Sequence, residues 1–180
     1  MSAPESITPK PDVSAKTPGS RRSRGNSARK PRGPGDRSPA RSARRRSREL
    51  VLQGLYQWFL SGSDLTTVAQ HIREQDEFDK CDAAHFDAVL RGCIDNASAL
   101  DQVLVNHLDR PLNELSPIEH GILLIAGFEL QQCLDIPYKV VINEAVELAK
   151  SFGGTDGHKY VNGVLDKAAV DWRAAEVQSR

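Results

Sequence analysis

From residue 43 onward the apolar residues recur with the helical period of about 3.6, and no segment sustains the alternation of a half-buried strand. That pattern restricts the stretch to an all-α fold. A first helix is expected over about 43–60, closed by Gly62. Ser63 or Asp64 can cap a second that buries Leu65, Val68, Ala69 and Ile72, and the polar stretch from Glu74 to Lys80 reads as a loop. A third helix over about 82–96 carries the stripe Phe86, Val89, Leu90, Cys93 and Ile94, after which Ser98 is expected to cap a fourth with Leu100, Val103, Leu104 and Leu108 inward. Pro111 separates this half from the next. Ser116-Pro117-Ile118-Glu119 combines an N-cap, a proline at the first helical position and a glutamate three residues after the cap. The helix it opens is apolar almost all round and should be the central one. Pro137 opens a sixth helix through Lys150, stopped at Phe152-Gly153-Gly154, and Thr155 or Asp156 caps a last one burying Val161, Val164, Leu165 and Ala168. The expectation is about seven helices in two small packed bundles.

The segment before this domain is of another kind. Residues 1–40 hold 7 of the 10 prolines and no aromatic residue, too little apolar surface to offset the entropy of ordering the chain. Residues 1–41 are therefore expected to be a disordered basic extension, and 42–175 one helical domain with subdomains of about 42–110 and 111–175. The extension has no apolar signal core, no later run is long enough for a membrane span, and Cys81, Cys93 and Cys133 form no Cys-x-x-Cys pair. These features point to reduced thiols in the cytoplasm.

Formal neutrality hides a charge split. Residues 1–48 hold 14 Lys/Arg against 3 Asp/Glu, and residues 49–180 hold 10 against 21, so +11 faces −11. Arg41, Arg45, Arg48, Leu52 and Tyr56 fall on one helical stripe, which would fix guanidiniums rigidly in line with a phenol. Positive charge at a helix N-terminus opposes the dipole, a disadvantage that an anionic partner would offset. Around the last connection, Phe152 and Tyr160 flank glycines and Lys159, a combination suited to stacking unpaired bases near backbone N–H donors, although the glycine stretch by itself reads first as a plain helix connection. Glu119 fits both the reciprocal glutamate of a capping box and a binding role. Enzyme chemistry finds no support: the five histidines lack metal-site spacing, the Gly153–Lys159 stretch lacks a phosphate-loop ending, and no nucleophile elbow or cofactor motif is present.

Several segments, in order, resemble the NusB family of bacterial transcription antitermination factors. They are Arg44-Arg45-Arg46-Ser47-Arg48-Glu49 with Leu52-Gln53-Gly54-Leu55-Tyr56, then Leu115-Ser116-Pro117-Ile118-Glu119, the block from Ile136 to Lys150, and His158 to Lys167. The resemblance covers about 43–172. It implies two packed helical bundles that bind the single-stranded boxA element of nascent RNA with a basic small-subunit ribosomal protein, called NusE in this role, inside an RNA polymerase antitermination complex. It further implies that Arg44, Arg45, Arg48, Gln53, Tyr56, Phe152, Asp156, Lys159 and Tyr160 face RNA, and that Glu119 lies at the protein partner. Where the family often carries a basic residue, this chain has Leu124. A similar domain fronts some ribosomal RNA cytosine methyltransferases, but such an enzyme needs a further α/β domain for which this sequence leaves no room. A helix-turn-helix DNA binder using the basic helix is the remaining alternative.

Overall fold

The structure is a computed structural model that describes residues 39–179; the expected extension falls outside them, apart from residues 39–41, which are already helical. Seven α-helices follow: α1 Pro39–Ser61, α2 Leu65–Arg73, α3 Ala83–Leu104, α4 Pro117–Gln132, α5 Tyr138–Phe152, α6 Gly157–Trp172 and α7 Ala174–Gln178. No strand occurs among the described residues.

The local signals explain most boundaries. Gly62 takes φ +63°, the left-handed conformation that ends α1 at little steric cost. Asp64 accepts the Thr67 N–H at 3.1 Å and starts α2. Asp82 accepts the His85 N–H at 3.1 Å and starts α3. At α4 the capping box is complete, with the Glu119 N–H donating to Ser116 Oγ at 3.1 Å and the Ser116 N–H to Glu119 Oε2 at 3.2 Å.

Two expectations fail in instructive ways. Ser98 does not cap a new helix, because α3 runs unbroken from Ala83 to Leu104. The stripe Phe86, Leu90, Cys93, Ala97, Leu100, Leu104 keeps steps of four and three throughout, so one face stays in phase with the core. Asn96 turns its amide back onto its own helix, donating to the Gly92 carbonyl at 2.8 Å, instead of competing for backbone at a break. The helix count is preserved by α7, which the apolar pattern did not announce. This short helix supplies polar caps. Buried Arg173 donates to the carbonyls of Leu130, Glu129 (3.2 Å) and Cys133 (2.9 Å), satisfying the end of α4. Glu176 accepts the Tyr138 N–H at 3.0 Å and so caps α5, whose own N-cap residue, Pro137, has no side chain able to do so.

The halves α1–α3 and α4–α7 share one core, and α4 is its axis, touching α1, α3, α5 and α6. Ile122, Leu123, Leu124 and Ile125 are all fully or almost fully buried. Leu124 is thus a core residue here and offers no polar contact. Close approach of α3 and α4 depends on Gly92, where an added Cβ would overlap the Phe128 ring. Gly92→Ala would gain ~1 kcal/mol in helix propensity but lose more to overpacking, which typically costs ~1–3 kcal/mol. A lower midpoint in thermal or urea denaturation is expected; an unchanged one would show that the Phe128 ring can step aside.

Candidate nucleic-acid interface

The arginines that open α1 do not act as one exposed cluster. Arg48 is buried at 3% exposure, with Nε 2.9 Å from both oxygens of Glu129 and Nη2 2.9 Å from Oε1. Its place among RNA-facing residues is thereby corrected: the guanidinium is committed to Glu129 between α1 and α4, and only its edge reaches the cleft beside Arg41 and Arg44. Nε2 of His85 on α3 lies 2.8 Å from the same carboxylate. An ionised carboxylate can only accept, so this nitrogen carries the proton. Burial opposes the charged form of Glu129. The His85 hydrogen bond and the Arg48 charge outweigh it and hold the carboxyl below its ordinary value of 4.5.

The other arginines also have internal partners. Arg41 donates to the buried Glu144 of α5 at 3.2 Å, Arg44 pairs with Asp135 at 3.2 Å and Asp82 at 3.5 Å, and Arg45 with Glu49 at 3.5 Å and Glu147 at 3.8 Å. Arg46 bridges Glu49 at 2.6 Å and Glu77. Arg44 lines a cleft of about 370 Å³ with Arg41, Asp135, Pro137 and Glu144. Arg45 points to the neighbouring side of α1, where Gln53 and Tyr56 follow.

There the expected residues converge. Gln53 and Tyr56 of α1 and Phe152 at the end of α5 line one groove of about 170 Å³, floored by Leu52 and edged by Glu49 and Ile118. Tyr56 and Phe152 remain 42% and 41% exposed, unusual for aromatics in a domain whose other large rings are mostly packed, and they present π-faces on a largely apolar floor. Beyond Tyr56 a second groove of about 420 Å³ runs between α1 and α2, lined by Gln57, Leu60, His71 and Gln75.

Residues at the start of α6 form a second group. Ile118 leads into Glu119, whose Oε1 lies 3.5 Å from where a Cβ on Gly157 would stand. Asp156 sits at the N-cap position without capping through its side chain; it pairs instead with Lys159 at 2.9 Å, both exposed. Two backbone donors expected to be available are occupied, Gly157 N–H by the Gly154 carbonyl and Lys159 N–H by that of Asp156, each at 3.0 Å. Tyr160 is half-buried and covered by the guanidinium of Arg110, 4.3 Å from the ring centroid. Burial, with the nearby Asp109 carboxylate, raises the Tyr160 phenol. Sequence reasoning passed over Ile118 and Arg110; the only signal for Arg110 was a basic residue in the short connection beside Pro111. The cysteines are free thiols, and burial with Glu129 nearby pushes Cys133 up to about 11, which leaves it inert as a nucleophile. No group of metal-ligating side chains occurs among the described residues.

The NusB family model matches residues 45–170. The transcription antitermination protein NusB of Ralstonia pickettii is 56% identical over 144 residues, which is 80% of this chain and 93% of that protein. That of Bordetella pertussis is 56% identical over 147 residues, 79% of this chain and 96% of the other. That of Paraburkholderia xenovorans is 58% identical over 139 residues, covering 77% and 96%. The solved structure of T. maritima NusB superimposes with a TM-score of 0.66 at 31% identity, over 74% of this chain and 96% of that one.

The buried Glu129 cluster yields a stability prediction. A carboxyl whose folded pKa is depressed contributes stability above its unfolded pKa and loses it as pH falls through the folded one. Glu129→Gln should destabilise the protein by up to ~3–5 kcal/mol near neutral pH, because buried Arg48 then keeps only the more distant Glu144 carboxylate, 3.9 Å away. It should also flatten the acid limb of stability below about 4.5. Urea titrations across pH measure both, and an unaltered acid limb would mean that other carboxylates govern it.

Proposed function

The chain belongs to the NusB family, and from that premise we propose that it is a cytoplasmic, non-enzymatic transcription antitermination factor. It binds the single-stranded boxA element of nascent ribosomal RNA together with the basic small-subunit ribosomal protein NusE, within an RNA polymerase antitermination complex. The observation that carries this reading is the groove in which exposed Tyr56 and Phe152 flank Gln53, with Arg45 paired to Glu49 at its edge. Unpaired bases stack on aromatic faces, at ~1–3 kcal/mol each, and an amide can read a base edge. The relatives matched over more than nine-tenths of their length bear the antitermination name and no methyltransferase domain is needed to account for the match. No described helix is long and apolar enough to cross a membrane.

The internal ion pairs shape how such a protein would bind. RNA phosphates must displace Asp135 from Arg44 and Glu147 from Arg45, so these carboxylates compete with the ligand. From Glu49 onward the sequence is also strongly acidic, which repels RNA and attracts a basic protein. Docking of NusE would relieve that repulsion, giving cooperative binding with a coupling of ~1–3 kcal/mol. Glu119 is assigned to the partner contact through Oε1, while Oε2 serves the capping box. Asp156 and Lys159 are assigned to the edge of the RNA path, and Tyr160 supports it from below.

Titration of labelled boxA RNA, with and without NusE, across salt concentrations tests the reading. Phe152→Ala and Tyr56→Ala should each weaken RNA binding by ~1–3 kcal/mol with the salt slope unchanged, since stacking releases no counterion. Arg45→Ala should lower the slope by about 0.7 for one lost phosphate contact. Asp135→Asn should strengthen binding. Glu119→Gln preserves the capping acceptor and should leave folding intact while weakening NusE. Wild-type affinity for RNA in both aromatic variants would overturn the proposed groove.

A further inference from the structure

Tyr160 does not offer its ring to solvent as the outermost layer; Arg110 does. The guanidinium carbon of Arg110 stands 4.3 Å from the centroid of the Tyr160 ring, well inside cation–π range. Its Nε donates to the adjacent Asp109 at 2.9 Å, and Pro111, with φ −57°, fixes the chain immediately beyond. The Arg110 side chain nevertheless keeps 41% of its surface in solvent. One side of the guanidinium therefore rests on an aromatic ring while a large part of the group stays accessible.

Its electrostatic situation differs from that of the α1 arginines. Arg44, Arg45 and Arg48 are held by carboxylates distant in the chain, Asp135 between α4 and α5, Glu147 on α5 and Glu129 on α4, and Arg48 is buried. The partner of Arg110 is its chain neighbour Asp109, itself 65% exposed, and an exposed pair of this kind contributes little and exchanges readily. Arg110 also stands beside Glu119 and the start of α6, continuous through Ile118 with the Tyr56–Phe152 groove. A guanidinium set on a ring is a platform for an unpaired base, since it stacks on π-faces and donates hydrogen bonds at its edge.

We propose that Arg110 is an RNA-contact residue, a stacking platform backed by Tyr160 that carries an unpaired base past the end of the Tyr56–Phe152 groove. This rests on the reading of the chain as a single-strand RNA binder. Tyr160 then acts as a positioning residue for Arg110 and does not itself stack on RNA.

The test uses the full chain and a boxA-type single-stranded RNA in which each position in turn is replaced by 2-aminopurine, whose fluorescence is quenched on stacking. Arg110→Ala should weaken binding by about tenfold, within the range of one lost stacked base, and abolish the quenching at one position. Arg110→Lys retains the charge, so the salt slope should hold while that quenching is lost. Both variants alter an exposed side chain, and unchanged thermal midpoints confirm an intact fold. Wild-type affinity in Arg110→Ala, or wild-type quenching in Arg110→Lys, overturns the proposal and leaves Arg110 as a staple holding the connection on α6. A folded wild-type protein that binds no single-stranded RNA overturns the reading beneath it as well.

Discussion

The carboxylate of Glu129 is the contact on which the rest of the structure depends. It is almost completely buried in the central helix, and a bare carboxylate there would cost several kcal/mol. Arg48 from α1 and His85 from α3 meet it at 2.8–2.9 Å, so one group ties three helices together. The backbone of the same residue is engaged too, since its carbonyl accepts from Arg173 at 3.2 Å. Close apolar packing, with Leu52 against Gly121 and Gly54 against Leu90 and Val68, and the bidentate Arg48–Glu129 contact agree on one rotation of α1. At that angle Leu52 and Leu55 enter the core and Tyr56 turns out toward Phe152.

The arginines of α1 consequently have graded availability. Arg48 is committed to the fold, Arg41 holds the buried Glu144, and Arg44 and Arg45 sit in partly exposed pairs with Asp135 and Glu147. Partly exposed pairs contribute ~0–1 kcal/mol, comparable to a single phosphate contact, and so can be exchanged without unfolding. A buried pair cannot. A run of guanidiniums at helical spacing thus divides into an anchor and a set of exchangeable contacts, and the division follows depth rather than sequence order.

Much of this was legible in the sequence and some could not be. The caps at Asp64 and Ser116–Glu119, the stop at Gly62 and the burial of α4 follow from local chemistry and periodicity. The unbroken α3 was also there to read in the four-three stripe from Phe86 to Leu104, which a capping-competent Ser98 obscured. The burial of Arg48 was not legible: spacing reports which residues share a face of a helix and is silent on what packs against that face, and Glu129 lies 81 residues away. The same holds for α7, whose purpose is polar capping of α4 and α5 and which has no apolar stripe to announce it. Gln53, Tyr56 and Phe152 were grouped on family resemblance, and the fold supplies the physical reason by bringing the end of α5 against the middle of α1.

The grouping has an energetic consequence for any ligand. Tyr56 and Gln53 project from a helix whose rotation is pinned by a buried ion pair, and Phe152 from the last turn of a helix capped by Glu176. Side chains placed this way lose little freedom when a flexible single strand settles on them, so the ordering cost falls mainly on the ligand. A surface that is rigid, only partly basic and set in an acidic body would bind RNA selectively and weakly. On the proposed function, added affinity would come from a second basic surface beside it, and a two-protein RNA binder of that kind is more discriminating than a single strongly basic one.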